Sequence, residues 1–178
     1  MGYSMSVKIL DWPSARSEAE RIRTDVFVIE QHVPAELEMD SFDEPSDHAL
    51  ALLPDGRAIG TGRLLPDGHI GRMAVLAQYR GHGVGRALLD ALITHAALQG
   101  MQEVVLNAQT HAAPFYAKAG FRPRGGEPHR GRRRDRVLLH ARCRGAARDA
   151  RCAAGTARAA ARGEPRGRVH QADGARHP

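Results

Sequence analysis

A glycine-rich turn lies between a predicted strand and a predicted helix near the middle of the chain. Its sequence is Arg80-Gly81-His82-Gly83-Val84-Gly85, with glycine at every second position. Glycine leaves the backbone bare and tolerates the dihedral angles of a tight turn. The helix that follows begins with unpaired N–H groups and the positive end of its dipole. The turn is therefore predicted to be an anion cradle suited to a diphosphate, bracketed by the charges of Arg80 and Arg86.

Two other types of glycine-rich loop are excluded because the sequence lacks residues that they require. A P-loop ends in Gly-Lys-Ser/Thr, whereas Gly85 is followed by Arg86 and Ala87. A dinucleotide fingerprint requires a third glycine where Arg86 stands, and a parallel strand pair where the preceding strands read as antiparallel. The three glycines alone are also compatible with a turn that binds no ligand.

Periodicity and turn residues predict the order β, α, β-β-β, α, β, α, β. A first helix is predicted with Ser14 as its N-cap and a buried face of Ile22, Val26 and Ile29. Residues 31–47 predict a loop with a short helix. The remaining predictions are strands at 6–10, 48–53, 57–65, 69–75, 103–108 and 136–140, with another starting at Gly120, and helices at 83–99 and 111–119.

A strand–helix–strand crossover after an antiparallel meander implies a mixed α/β fold. We expect a mainly antiparallel sheet flanked by helices on both faces.

Two motifs together resemble one family. The turn is similar to the acetyl-CoA motif Gln/Arg-x-x-Gly-x-Gly/Ala of the GCN5-related N-acetyltransferases (GNAT), matched by Arg80, Gly83 and Gly85. Residues 112–121, Ala-Ala-Pro-Phe-Tyr-Ala-Lys-Ala-Gly-Phe, look like that family's A-x-x-F-Y-x-x-x-G-F. The resemblance covers about two thirds of the chain, from Val7 to Phe121.

Within the family the chain looks closest to the ElaA/YjcF-like branch. Arg23-x-x-Val26-Phe27-x-x-Glu30-Gln31, followed by Glu38-x-Asp40-x-x-Asp43 and His48, is similar to that branch's opening. Residues 106–109, Leu-Asn-Ala-Gln, also fit it. One departure is that Gln109 stands where asparagine is usual.

The resemblance implies acetyl-CoA as the co-substrate. It implies that the main chain of Met73, Ala74 and Val75 meets the pantetheine arm and that the turn meets the diphosphate. Within the turn, His82 either contacts the phosphate or is a loop residue without a role in binding. Asn107 and Gln109 complete the residues implied in binding. The histidines and cysteines show no metal-ligand spacing, so no metal is expected.

Tyr116 is the catalytic candidate that the resemblance implies. Acyl transfer from a thioester releases a thiolate, which a phenol can protonate. The alternative is an aromatic anchor in the core, a role that Phe115 is predicted to fill.

A base must deprotonate the attacking amine, and Glu38 and His48 are candidates near the acceptor, with a water relay as the alternative. The acidic residues between 36 and 47 favour an amine or another cationic acceptor.

The last part of the chain differs in composition. Residues 123–178 hold fifteen arginines and no lysine, four large aliphatic residues and no aromatic residue. We expect an acyl-CoA-binding domain at 1–140 and a disordered Arg/Ala/Gly-rich tail at 141–178. One hypothesis treats the end as an out-of-frame translation of a GC-rich gene. The other makes it a basic arm that binds nucleic acid non-specifically.

The sequence thus predicts an N-acetyltransferase that moves an acetyl group from acetyl-CoA to an amine of a small molecule or peptide. A CoA-binding protein with impaired catalysis and a nucleic-acid-binding protein are the alternatives. No signal-like segment or long apolar run is present, so we expect a cytoplasmic protein without membrane contact. A homodimer stays open.

Overall fold

A computed structural model describes residues 4–124 and 136–143 of the chain. The described part alternates strands and helices in the predicted order. In chain order the elements are β1 (Ser6–Leu10), α1 (Trp12–Arg23), a π-helix (Thr24–Glu30), α2 (Ala35–Glu38), β2 (Asp47–Leu52), β3 (Ala58–Leu64), β4 (Ile70–Val75), a 3-10 turn (Ala77–Tyr79), α3 (Val84–Leu98), β5 (Glu103–Gln109), a 3-10 turn (Thr110–Ala112), α4 (Ala113–Lys118), β6 (Arg122–Pro123) and β7 (Arg136–Arg142).

The strands form two sheets that meet at one point. Strands β1-β2-β3-β4 make an antiparallel meander, and β5-β7-β6 make a second antiparallel sheet. A parallel bridge between His69 and Val105 joins the edge of β4 to the edge of β5. The predicted mixed, mainly antiparallel α/β fold is confirmed.

The meander is built on two copies of the same turn sequence, Pro-Asp-Gly. In each copy the glycine adopts a positive φ, +87° at Gly56 and +89° at Gly68. The aspartate accepts a hydrogen bond from the N–H two residues later, as Asp55 does from Arg57 at 3.0 Å. These local bonds fix the register of the hairpins and hence of β4, which leads to the glycine turn.

Helix α3 packs closely on the sheet because β3 carries small residues. A Cβ on Gly60 would lie 2.9 Å from Leu88 Cδ1 and 3.2 Å from the carbonyl oxygen of Ala74. Leu88, Leu89 and Leu92 are fully buried on this face. The position of α3, and therefore of the turn at its N-terminus, depends on that close approach.

Helix α1 begins one turn earlier than predicted. The N-cap is Asp11, whose Oδ1 accepts a hydrogen bond of 3.0 Å from the Ser14 N–H, so Ser14 lies inside the helix. An aspartate accepts this bond as well as a serine does, and Pro13 fits the first turn.

The predicted buried face of the first helix is wrong at Ile29, which is 63% exposed. After Arg23 the helix widens into a π-helix, where the Gln31 N–H donates to the carbonyl of Val26, five residues back, at 3.2 Å. The wider turn shifts the period of the buried stripe, so Ile22 and Val26 stay buried while Ile29 faces outwards.

Strand β7 is longer than the strand predicted at 136–140. It runs to Arg142, and Leu139, Ala141 and Cys143 contribute to the main core. The domain boundary predicted after residue 140 therefore falls inside a strand. The rest of the predicted tail, residues 144–178, lies outside the described residues, and so do both hypotheses about it.

In the described part of the chain, no helix has the length and apolar character needed to cross a membrane.

Candidate active site

A cleft opens where β4 and β5 separate. The Val105 N–H donates to the Gly68 carbonyl at 3.0 Å, next to the bridge of His69 with Val105. Beyond this point the two strands run in the same direction without further pairing between them in the described residues. A cavity of about 310 Å³ lies here. Its walls include Phe27, Glu38, Arg72, Met73, Asn107, Gln109 and Tyr116.

A β-bulge in β4 shapes one wall of the cavity. Thr61 pairs with Ala74 and Arg63 pairs with Gly71, so two residues of β4 face Gly62 alone. One of them, Arg72, has a φ of +51°, which is unusual for a residue with a side chain. Such bulges commonly re-aim side chains beside functional sites.

The backbone of Val75 points into the cleft. The Leu76 N–H donates to the Ile59 carbonyl at 3.0 Å, which makes the pair of Val75 with Gly60 a non-hydrogen-bonded pair. The N–H and C=O of Val75 are therefore directed to the opposite edge of β4, where the cleft lies. The Val75 carbonyl oxygen accepts a bond of 2.9 Å from Arg80 Nε, and the role of this main chain in holding the pantetheine arm stays a prediction.

The glycine turn adopts the backbone that its sequence predicts. Gly81 and Gly83 have φ values of +76° and +83°, where other residues are strained. Gly83 is the N-cap of α3 and makes no side-chain capping bond, and the first intrahelical bond joins the Ala87 N–H to the Gly83 carbonyl at 3.0 Å. The N–H groups of residues 84–86 therefore belong to the helix N-terminus, as an anion cradle requires. At Gly85 a Cβ would make ordinary contact, 3.5 Å from Phe115 Cζ.

The two arginines that bracket the turn are held by carboxylates. Arg80 makes two hydrogen bonds of 2.7 Å to Glu30. Arg86 bonds Asp90 at 2.9 Å and the carbonyl of Lys118 at 3.1 Å. The charges of both arginines are therefore partly offset, and the N–H groups that begin α3 add their own positive contribution at the turn. His82 is exposed on the turn.

Tyr116 lies at the cavity between two aromatic rings. Its ring meets Phe115 and Phe121 edge to face, with centroids 5.0 and 5.9 Å apart. Phe115 is 38% exposed and Phe121 only 3% exposed, so the buried ring is Phe121 and not Phe115 as predicted. Burial raises the pKa of the Tyr116 phenol above its ordinary 10.0. The phenol therefore stays protonated at neutral pH and can act as an acid.

Asn107 and Gln109 line the wall of the cavity that β5 supplies. They stand two residues apart on one strand, so their side chains share a face. Gln109 ends β5 and precedes the 3-10 turn that leads to α4. The structure brings both of them to the cavity together with Tyr116.

Glu38 reaches the cavity from a buried cluster of ion pairs. Arg23 lies at its centre, with Nε 2.7 Å from Glu38 Oε1 and Nη1 2.8 Å from Asp43 Oδ1. All three side chains are less than 5% exposed.

The cluster continues outwards through two further arginines. Arg63 Nη1 lies 2.8 Å from Asp43 and 2.6 Å from Asp40. Arg72 Nη2 lies 2.8 Å from Asp40 Oδ2 and donates to the Leu37 carbonyl at 3.1 Å. Three guanidinium groups thus face three carboxylates.

This pairing weakens the electrostatic argument for a cationic acceptor, because three of the six acidic residues between 36 and 47 have arginine partners, and the acceptor stays a prediction. Burial opposes ionisation of Asp40 and Asp43, but their arginine partners outweigh it and lower both pKa values. Burial raises the pKa of Glu38 despite Arg23 and Arg72. The three paired carboxylates hold the loop on the fold, and their charges are offset by the three arginines.

His48 does not lie among the residues that line the cavity. It is 1% exposed, its Nε2 is 2.8 Å from the Asp43 carbonyl oxygen, and its ring packs against Trp12 at a tilt of 37°, with centroids 4.7 Å apart. Burial lowers its pKa. His48 is therefore a buried structural histidine, and its position outside the cavity lining argues against the role of base predicted for it.

The arginine cluster was missed as a unit from the sequence. Arg23 stands on the buried face of α1, between Ala19 and Val26, and Arg63 stands in a fully buried strand. A charge at an apolar position of a periodic segment is the signal that could have identified them, since buried charges are paired. No group of three or more His, Cys, Asp or Glu residues suited to a metal occurs in residues 4–124 and 136–143.

The fold and the cleft define a class of mixed α/β protein in which two parallel strands separate beside a glycine turn and the N-terminus of a helix. A family model described as an acetyltransferase (GNAT) domain matches residues 13–132. The uncharacterized N-acetyltransferase YjcF of Bacillus subtilis is 42% identical over 109 residues, which are 59% of this chain and 76% of that protein.

Solved structures agree with this match. Escherichia coli ElaA is 25% identical with a TM-score of 0.66, covering 78% of this chain and 99% of that one. A crystal structure from Lactobacillus plantarum is 29% identical with a TM-score of 0.71, covering 79% and 99%.

The chain belongs to the GNAT acetyltransferase family, in its ElaA/YjcF-like branch. It is an acyltransferase with N-acetyltransferase activity, and its family uses an acyl-coenzyme A as co-substrate.

Proposed function

We propose that the protein transfers an acetyl group from acetyl-CoA to the amine of a small molecule or peptide. The observation that carries this proposal is the alignment of three features along β4. The strand edge opens onto a cleft, the glycine turn follows that edge, and Tyr116 faces the same cleft.

The coenzyme would lie along β4. Its pantetheine arm would follow the edge that the backbone of Val75 faces, with Met73 and Ala74 beside it. Its diphosphate would meet the N–H groups that begin α3, where Gly81 and Gly83 hold the backbone in the left-handed region. Asn107 and Gln109 would border the arm from β5.

The reaction would proceed by direct attack. The amine nitrogen bonds to the thioester carbonyl carbon, the carbon–sulfur bond breaks, and the departing thiolate takes the proton of the Tyr116 phenol. The phenol carries its proton at neutral pH, since its ordinary pKa is 10.0 and burial raises it further, so the proton is available when the thiolate forms. The phenolate regains a proton from solvent.

The amine must also lose a proton. Glu38 borders the cavity, and burial raises the pKa of its carboxyl, which makes the carboxylate a better base. Because its Oε1 accepts a bond from Arg23, we propose that Glu38 accepts the proton through water.

A two-part experiment tests the proposal. Calorimetric titration of the full chain with acetyl-CoA should show binding, and a thiol-release assay against a panel of amines, amino sugars and peptides should identify an acceptor. Binding with no release from any amine would leave a CoA-binding protein without turnover. The absence of binding at near-millimolar acetyl-CoA would refute the proposal.

A further inference from the structure

All three nitrogens of the Arg80 guanidinium are bonded to protein groups. Nη1 and Nη2 each lie 2.7 Å from one oxygen of Glu30. Nε donates to the Val75 carbonyl oxygen at 2.9 Å. A two-pronged arginine–carboxylate pair is strong and directional, so Arg80 joins the end of the π-helix, the end of β4 and the start of the glycine turn.

The partner of Arg80 comes from a distant part of the chain. Glu30 lies fifty positions before Arg80 and ends the π-helix. The hydrogen bond from Arg80 lowers the pKa of Glu30, so the carboxylate is charged at neutral pH.

We propose that Glu30 is a positioning residue for coenzyme A, and that it acts by holding Arg80 as a brace. The brace keeps the turn and the cleft edge of β4 in one arrangement, and Arg80 is not itself a ligand of the diphosphate. The inference rests on the proposed function, because it requires that the turn binds the coenzyme.

Electrostatics favours a brace over a phosphate ligand. If Arg80 swung onto a diphosphate, the Glu30 carboxylate would lose both of its short bonds and leave a negative charge close to the anion. It would also release the Val75 carbonyl at the cleft edge. The N–H groups of α3 supply the anion contact without these losses.

The brace and the phosphate-ligand role of Arg80 predict opposite changes in acetyl-CoA affinity for the variant Glu30→Gln. We measure acetyl-CoA affinity by calorimetry for the full chain, Glu30→Gln, Arg80→Gln, the double variant and Arg80→Lys. If Arg80 is a brace, each single change weakens binding by about threefold to fivefold, as expected for a partly exposed pair. The double variant is then no weaker than either single one. Arg80→Lys behaves like Arg80→Gln, because lysine cannot form the fork.

The control is Glu20→Gln, which breaks another partly exposed pair, Arg16 with Glu20 at 2.9 Å, on α1. It should leave the affinity unchanged. With an acceptor in hand, Glu30→Gln should raise the KM for acetyl-CoA and spare kcat, which a general loss of stability would not do.

Tighter binding by Glu30→Gln, or wild-type affinity in Arg80→Lys, would overturn the brace while leaving the proposed function intact. No binding by the wild-type chain would overturn both.

Discussion

At the scale of single residues, Tyr116 has a half-buried ring that packs on the core and also lines the cavity. The rings of Phe115 and Phe121 fix its orientation on two sides. A side chain held in this way needs little reorganisation, which supports the acid role proposed for it.

Replacing Tyr116 with phenylalanine should lower kcat by about a hundredfold, the lower range for a lost general acid. The affinity for acetyl-CoA should stay within about twofold, since the ring and its packing remain. Thiol release and calorimetry measure the two quantities. Tyr79→Phe, in the 3-10 turn after β4, is the matched control. Equal losses in both variants would argue against a role in proton transfer.

Glu38→Gln separates the structural role of this carboxylate from its chemical one. Removing one charge from the buried cluster leaves Arg23 partly unpaired and should lower the free energy of unfolding by about 3 kcal/mol. Urea titration measures this loss, and the exposed Glu44→Gln in the same loop should show almost none. If Glu38 is the proton acceptor, kcat should also fall at a temperature where the variant is fully folded. Full activity there would leave water as the base.

At the scale of elements, the glycine turn and the hairpin turns share one backbone conformation, although only the glycine turn is proposed to bind a ligand. Gly83 and Gly56 have φ values of +83° and +87°, and neither would bring a Cβ within 4 Å of a neighbour. The cost of a side chain at either position is therefore conformational, about 1–2 kcal/mol.

This pair gives a matched test of the turn. Gly83→Ala and Gly56→Ala should destabilise the fold by similar amounts, measured by thermal unfolding. Only Gly83→Ala should also weaken the binding of acetyl-CoA, by about tenfold or more, because it disturbs the N–H groups that begin α3. A comparable loss in Gly56→Ala would show that stability alone limits binding.

Elements with strong local signals are the ones that the sequence predicts well. The Pro-Asp-Gly hairpins and α3 follow from turn residues and periodicity, which act over a few positions. The outward position of Ile29 could not be predicted, because the π-helix depends on how the segment packs after Arg23. The glycine turn was visible in the sequence, whereas the pair of Glu30 with Arg80 needs the folded chain.

At the scale of the whole molecule, stability should depend on pH through the buried polar groups. Burial lowers the pKa of His48 from its ordinary 6.5, so between that value and its folded pKa the unfolded chain binds the extra proton. Stability therefore falls as the pH drops below about 6.5. The pKa values of Asp40 and Asp43 are lowered from 3.8, so their contribution is lost only below about 4. Glu38 acts in the opposite sense, because its pKa is raised from 4.5.

His48→Gln should remove the loss of stability that occurs as the pH falls from 7 to 5, as measured by urea unfolding at each pH. Trp12 is the only tryptophan of the chain and its ring lies against that of His48, so its fluorescence reports the transition. Exposed His111→Gln is the control. An unchanged slope in His48→Gln would assign the dependence to other groups.

Strand β7 lies between β5 and β6 although it follows both in the chain. Since synthesis runs from the N-terminus, the four-stranded meander and α3 can assemble first, while β5 waits for a partner that is made about thirty residues later. Until residue 142 has left the ribosome, the apolar residues Val104 and Leu106 stand on an uncovered edge, the kind of surface that aggregates. Because of the order of synthesis, the second sheet can form only after its central strand, β7, has been made.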